Sequence, residues 1–253
     1  MEKTIYDYYI ESNIQENHWW FKSRNNIILA VLINYLDNKN TNDYEILDIG
    51  CGLGQIFPIL EKFGYVEGIE KNSSFVKVLK KKYPDIKIHN GKFPNPNLEN
   101  RKFDLISMFD FLEHIDNPAD ILRATNNILK KDGLLIVTVP AYKWMWSKID
   151  KLSHHYKRYD KSTLKIDIEK EGFECIYSSY FMTLLFPLVF IYRKIIPFLF
   201  FKKIKLNDLE LKKPINVLNK FLYHIMNIET YFIRRKVSLI YGLSIISIFR
   251  KIN

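Results

Sequence analysis

The chain has 253 residues, long enough for one large α/β domain, and its 47% hydrophobic and 15% aromatic content excludes a disordered protein. Two cysteines are too few for a disulfide framework and the polar N-terminus lacks the pattern of a signal peptide, so we expect a cytoplasmic protein. The net charge of +10 lies entirely in residues 181–253, which hold thirteen basic and three acidic residues, and such a basic, apolar segment favours an anionic membrane surface over nucleic acid.

The first predicted element is helical. Residues 8–36 have a largely helical pattern, in which an aromatic cluster precedes the apolar run at 27–36. The residues of this segment that we expect at the substrate are His18, Trp19, Trp20 and Arg24. A polar linker follows at 38–43, and we predict that residues 1–43 form a lid over the ligand. The alternative is a hydrophobic clasp that only covers the edge of a sheet.

From residue 44 onward, short apolar strands alternate with helical patterns, which is typical of a parallel sheet built from βαβ units. The predicted strands are 45–49, 65–70, 86–89, 103–109, 134–139 and 173–179. The predicted helices are 55–63, 73–83, 118–130 and 161–171. This order predicts a doubly wound, mostly parallel, seven-stranded sheet that uses residues 44–180 as its core and takes its last strand from residues 238–253.

The alternation stops after Tyr180. Residues 181–192 carry no charge, basic residues follow, and 216–232 has an apolar stripe at helical spacing. We predict that 181–237 is a helical insert that docks on the inner face of a membrane without crossing it, because spanning needs about 20 apolar residues. The alternative is that its aromatic residues pack on the core and wall a substrate pocket.

The segment 46–54 ends a strand and opens a helix, with glycines that permit a sharp turn and the close approach of a ligand: Gly50, Gly52 and Gly54. Gln55 stands where a dinucleotide fingerprint requires glycine. The carboxylate of Asp48 would repel a pyrophosphate, but it favours a ligand that carries an ammonium and a sulfonium. Glu70 closes the next strand, where an acidic side chain can accept ribose hydroxyls.

This loop resembles motif I of the class I S-adenosylmethionine-dependent methyltransferases. The segments 68–70, 103–106, 113–115 and 133–136 are similar to the later motifs of that family in order and spacing, and the resemblance covers about residues 44–180. It implies that S-adenosylmethionine is the cofactor and that the contacting residues are Asp48, Gly50, Gly52, Gly54, Glu70, Asn90, Gly91 and Phe109. Lys92 departs from the family, since many relatives carry an acid there for the adenine amine.

Transfer of a methyl group to oxygen also needs a base or a metal. His154 and His155 follow the fifth strand, at the edge where open α/β sheets bind ligands, and either could be the base. The alternative is a polar loop that contacts an anion together with Arg158. The aromatic residues that we expect to line the acceptor pocket are Tyr142, Trp144 and Trp146.

A second group, Asp110, Glu113 and His114, resembles the Glu-x-x-Glu-His group that holds a divalent metal in ubiquinone-pathway O-methyltransferases. Aspartate replaces the first glutamate here. Many class I relatives carry Glu-His at this place without a metal, so packing of the following helix is the alternative.

These features predict a methyltransferase that O-methylates an apolar, lipid-linked, glycan-precursor or quinone-like small molecule. An RNA or protein methyltransferase is one alternative, but residues 108–111, Met-Phe-Asp-Phe, replace the Asn-Pro-Pro-Tyr type of motif associated with amino-group methylation. A non-catalytic cofactor-binding module is another, and the intact Asp48, glycine loop and Glu70 argue against it.

Overall fold

The computed structural model describes residues 18–36, 43–195 and 215–252. The predictions for 8–17, 38–42 and 196–214 lie outside the described residues. The described strands are β1 Tyr44–Ile49, β2 Gly64–Glu70, β3 Lys87–Asn90, β4 Phe103–Phe109, β5 Leu129–Pro140, β6 Phe173–Phe181 and β7 Ser244–Lys251. The described α-helices are α1 Trp19–Tyr35, α2 Phe57–Leu60, α3 Ser73–Lys82, α4 Ala119–Ile128, α5 Lys148–Leu152, α6 Lys161–Glu169, α7 Phe186–Phe190 and α8 Asn216–Arg234.

The strands form one seven-stranded sheet in the order β3-β2-β1-β4-β5-β7-β6. Strands β1 to β5 pair in parallel, and β7 runs antiparallel between β5 and β6. The predicted mostly parallel sheet is therefore confirmed. The helix predicted over 55–63 is wrong in length, since only Phe57–Leu60 is α-helical. The glycine turns precede this segment and β2 begins at Gly64, so the chain has room for one helical turn.

Both faces of the sheet are covered by apolar side chains, as alternation along a strand requires. In β1, for example, Ile46 and Leu47 belong to different core clusters. Helix α1 contributes Ile27, Ile28 and Leu32, all fully buried, to the cluster that contains Ile46. The first described helix is thus part of the core as well as a cover for the sheet edge.

Helix α8 packs along α1. The Asn26 amide donates to the Tyr223 hydroxyl at 2.9 Å, and the Asn34 amide donates to the backbone carbonyl of Ile233 at 3.0 Å. These bonds join the two helices at the middle and at the C-terminal end of α1, so the chain between β6 and β7 is attached to the core through α8. Across the described ranges, every helix is too short or too polar to cross a membrane.

Candidate active site

The three glycines of the loop after β1 all have positive φ, but they serve different purposes. Gly50, Gly52 and Gly54 lie at +72°, +57° and +70°, where other residues are strained. A Cβ on Gly50 would collide with the ring of Phe111, and one on Gly54 would lie 2.8 Å from the ring of Phe57. A Cβ on Gly52 would meet nothing within 4 Å. Gly52 therefore borders the open space that a ligand can enter.

Two buried carboxyl groups flank this loop. Glu70 accepts hydrogen bonds from the backbone N–H of Gly52 at 3.1 Å and of Asn72 at 2.8 Å, so it braces the loop from the end of β2. Asp48 accepts a hydrogen bond of 2.6 Å from the Ser107 hydroxyl. Burial raises the pKa of Asp48 to about 7, although Ser107 and the positive charge of Arg24 act in the opposite direction.

Helix α1 brings Arg24 to the same edge. Its guanidinium pairs with Asp110 at 2.8 Å and lies 5.5 Å from the centroid of the Phe109 ring. The side chain is buried, and its Nε has no hydrogen-bond partner, so a ligand carboxylate could accept from it. The Trp20 ring packs 5.7 Å from the same guanidinium. Thus α1 places a cation next to Asp48 and the glycine loop.

The remaining residues predicted at the cofactor or in the lid contact neighbouring elements of the protein. His18 caps α1, because its ring accepts from the Trp20 N–H, and the Trp19 N–H donates to the Asn219 side chain. Asn90 lies opposite Glu70 in the pairing of β2 with β3. The next residue, Gly91, donates its N–H to the Glu70 carbonyl at 2.9 Å.

A second centre surrounds the predicted histidines and depends on Asp150, which the sequence analysis missed. The Asp150 side chain is fully buried and interacts with the His155 Nδ1 at 3.0 Å and with the Arg158 Nε at 2.7 Å. It also accepts from the backbone N–H of Ser147 at 2.7 Å. Burial alone would raise the pKa of Asp150, but the hydrogen bonds from His155 and Arg158 hold it well below its usual range.

The two predicted histidines have different surroundings. His155 is oriented by Asp150, and its ring centroid lies 4.8 Å from that of His114 at nearly a right angle. The side chain of His154 is exposed, and its backbone hydrogen-bonds to the His114 ring. Burial, assisted by His155, lowers the pKa of His114 to about 4, so that this ring is neutral at physiological pH. The structure therefore favours His155 over His154 as a base.

The predicted metal group is not brought together, because Asp110 pairs with Arg24 instead. A carboxylate oxygen of Glu113 and one ring nitrogen each of His114 and His155 do lie within 4.8 Å of one another. Glu113 is almost fully buried, and this burial together with the charge of Asp110 raises its pKa well above the usual range. Without a cation, burial therefore disfavours the charged form of the Glu113 carboxyl.

A group of packed aromatic side chains, which we call the aromatic wall, lies at the same edge of the sheet, over β5, β7 and β6. The Tyr142 ring stacks on Trp144 and on Tyr180, each at 5.2 Å. Phe186 and Phe190 of α7 pack against Trp144 at 6.1 and 5.8 Å. Of the predicted pocket residues, Tyr142 and Trp144 belong to this wall, and the Trp146 carbonyl accepts from Lys194 at 3.5 Å. The sequence analysis did not single out Tyr180, Phe186 or Phe190, and of these only the two phenylalanines lie in the charge-free run at 181–192.

Comparison with known proteins assigns the family. A family model described as a methyltransferase domain matches residues 20–178. The chain belongs to this family. A ubiquinone biosynthesis O-methyltransferase from Glaesserella parasuis is 33% identical over 86 residues, which is 29% of this chain and 36% of that protein. One from Colwellia psychrerythraea is 27% identical over 171 residues, 60% of this chain and 70% of that protein. The first alignment thus spans about a third of the relative's length.

Solved structures share the fold of this methyltransferase. An S-adenosylmethionine-dependent methyltransferase from Clostridium acetobutylicum matches with a TM-score of 0.56 at 13% identity and covers 92% of each chain. Another from Mesorhizobium loti matches with a TM-score of 0.54 at 15% identity, over 82% of this chain and 91% of that one. The chain thus combines the methyltransferase domain of its family with the fold of S-adenosylmethionine-dependent methyltransferases. The open space at Gly52, the buried Asp48 and the unpartnered Arg24 Nε fit a cofactor with an ammonium, a sulfonium and a carboxylate.

Proposed function

We propose that this methyltransferase transfers the methyl group to a hydroxyl oxygen of an apolar small molecule and that His155 is the base. The observation that carries the proposal is the pair of buried Asp150 and His155, which lies against His114 just after β4. Two arginines connect this pair with the cofactor loop: Arg158 and Arg24 both act to lower the pKa of Glu113, and Arg24 also acts to lower the pKa of Asp48.

In this mechanism S-adenosylmethionine supplies a methyl group activated on a sulfonium. The acceptor oxygen would take this methyl group as the carbon–sulfur bond breaks, which would leave a neutral thioether. The acceptor proton goes to the Nε2 of His155, while Asp150 holds the proton on Nδ1 and offsets the charge of the imidazolium. Methylation of a hydroxyl releases one proton, which a single histidine can take, so this arrangement suits an O–H acceptor.

Residues at the edge of the sheet and residues of α1 would together hold the cofactor. Asp48 would face the ammonium and sulfonium, Glu70 the ribose, and the Arg24 Nε the carboxylate, which would give that buried nitrogen a hydrogen-bond partner. Asn90 and Gly91, at the end of β3 beside Glu70, would border the adenine. Phe109, which lies under Arg24, would close the floor of the same site.

We expect the acceptor to be lipid-linked, a glycan precursor or a quinone-like ring. The aromatic wall of Tyr142, Trp144 and the two α7 phenylalanines would stack on a ring or cover a prenyl chain. The relatives named as ubiquinone biosynthesis O-methyltransferases support a quinone-like acceptor. With such a substrate, we expect the enzyme to lie in the cytoplasm, on the inner face of a membrane.

The base is tested with tritium-labelled S-adenosylmethionine and a total lipid extract from cells that lack the gene. His155→Ala should lower methyl incorporation by about 10²–10⁴-fold, because a general base contributes that much. Asp150→Asn should also slow it, since the amide no longer fixes the tautomer of His155. His154→Ala is the matched control and should keep the wild-type rate. Cofactor affinity measured by calorimetry should be the same in all four proteins.

Equal rates in His155→Ala and wild type would refute His155 as the base. The chelator EDTA tests the alternative, in which a divalent cation on Glu113, His114 and His155 unmasks the oxygen. If EDTA abolishes incorporation and Mg²⁺ restores it, the cation has that role. If EDTA has no effect, the three side chains act without a metal.

A further inference from the structure

Helix α8 is apolar on two sides, and only one of them packs on the protein. The buried side consists of Met226, Glu229 and Ile233. Four large side chains follow a second line along the helix, separated by four, seven and four positions: Val217, Phe221, Ile228 and Phe232. Their exposed fractions are 78%, 59%, 52% and 43%. Burial on α1 therefore does not account for this stripe.

The segment around α7 also exposes apolar side chains. The Glu229 carboxylate accepts from the backbone N–H of Leu184 at 2.7 Å, which fixes this segment beside α8. Leu184, Leu188 and Ile191 are 45%, 64% and 43% exposed. We call these three residues and the α8 stripe the docking face. Monomeric proteins rarely expose large contiguous apolar areas without a partner.

All exposed charges around the docking face are basic in the part of the insert that the structure describes. On α8 they are Lys220 and Arg234, followed by Arg235 and Lys236. Arg193 and Lys194, which follow α7, are half-buried, and Lys194 donates to the Trp146 carbonyl. Glu229 is the one acidic side chain among the described residues from 182 to 236, and it is 2% exposed. The face thus combines apolar side chains with charge of a single sign.

We propose that the docking face inserts into the headgroup region of an anionic lipid membrane, an inference that rests on the lipid-linked acceptor proposed above. An amphipathic helix with aromatic and aliphatic residues beside lysine and arginine lies in the plane of such an interface. Anionic headgroups complement the basic residues. A second copy of this chain would instead bring like charges together, which disfavours a symmetric contact.

The docking face adjoins the acceptor wall. Glu229 holds the backbone at Leu184, and Phe186 and Phe190 of the wall follow within six residues. At its other end α8 meets the start of α1, where the Trp19 N–H donates to Asn219. A lipid-linked acceptor could therefore reach the site while its chain stays in the bilayer.

Vesicle co-sedimentation of the full chain tests this surface. The wild type should sediment with phosphatidylcholine vesicles that contain phosphatidylglycerol, less with phosphatidylcholine alone, and less as salt rises. Replacing Phe221 and Ile228 by Ser should weaken binding at least about tenfold, because inserted apolar area sets much of the affinity. The matched control replaces Tyr65 and Ile166, which are 66% and 50% exposed elsewhere, by Ser and should sediment as the wild type does.

Calorimetry with S-adenosylmethionine on the same variants shows that each is folded, and it is independent of lipid. A wild type that stays in the supernatant at low salt overturns the inference. So does equal sedimentation of the Phe221/Ile228 and Tyr65/Ile166 variants, or a dimer in ultracentrifugation that only the Phe221/Ile228 variant loses. Vesicle binding does not depend on methyl incorporation, so failure of the proposed reaction is distinguishable from failure of docking.

Discussion

At the scale of single residues, the loop after β1 shows how different physical demands meet in one short motif. Gly50 and Gly54 are needed because a side chain would collide with Phe111 or Phe57. Gly52 has space around it, which we propose is left to the cofactor. Glu70 braces the Gly52 N–H from the neighbouring strand. One pattern of alternating glycines therefore serves both packing and binding.

Asp48 leads to a prediction about pH. Burial raises its pKa to about 7, so the carboxyl is half protonated near neutral pH before the cofactor binds. The positive charge of S-adenosylmethionine favours the ionised form, so affinity should fall as pH drops below 7, by up to about tenfold per unit. Calorimetry between about pH 5.5 and 7.5 measures this slope. Asp48→Asn should bind weakly with no slope, and a flat wild-type profile would contradict the assignment.

At the scale of elements, α1 combines two functions. Its first turns carry Arg24 to the cofactor edge, while Ile27, Ile28 and Leu32 are fully buried in the main core. A lid that swings open as a rigid helix would expose those three side chains to water. We therefore expect that any opening over the ligand is confined to the first turns.

The prediction for α1 concerns its stability contribution. Ile28→Ala should lower the free energy of unfolding by about 2–5 kcal/mol, because it leaves a cavity in the core. Ile33→Ala on the same helix is the control, and its 42% exposed side chain should contribute only about 0.5 kcal/mol. Denaturant unfolding measures both. If the two substitutions have equal small effects, α1 is a detachable lid and not a core helix.

At the scale of the whole molecule, the strand order divides the ligand edge into two halves. The loops after β1, β2 and β4 carry the proposed cofactor residues, whereas those after β5 and β6 and before β7 carry the proposed acceptor residues. Antiparallel β7 makes this possible, since its register places Ser244 opposite both Pro140 and Phe181. The segments 141–160 and 182–195 consequently start at one edge, beside the proposed docking face.

This arrangement predicts where the product is found. Mass spectrometry of lipid and glycan extracts should reveal a species that carries one additional methyl group only when the gene is present. Complementation with His154→Ala should restore that species, whereas His155→Ala should not, because only His155 is oriented by Asp150. Gene-dependent methylation confined to RNA or protein would contradict an apolar small-molecule acceptor.

The fold and the glycine loop were predictable because their signals are local. Alternation of short apolar strands with helical patterns identified the strands, and the spacing of Asp48, the glycines and Glu70 predicted that these residues meet at the strand ends, where Glu70 contacts Gly52. Such patterns act within about twenty residues, over which backbone geometry determines which side chains share an edge. The length of the helix predicted at 55–63 was overestimated, because local apolar periodicity does not show where the next strand must begin.

The composition of the active site was decided by the tertiary structure. His154 and His155 are equivalent in sequence, and only the fold of 147–158 around buried Asp150 distinguishes them. Likewise Asp110 was grouped with Glu113 and His114 by spacing, but Arg24, 86 positions earlier, pairs with it in space. By itself the sequence determined the sheet, the cofactor loop and the basic apolar insert, since these follow from short-range periodicity and composition. Packing between distant elements decided which polar groups come into contact, because a buried charge needs a hydrogen-bonding or charged partner.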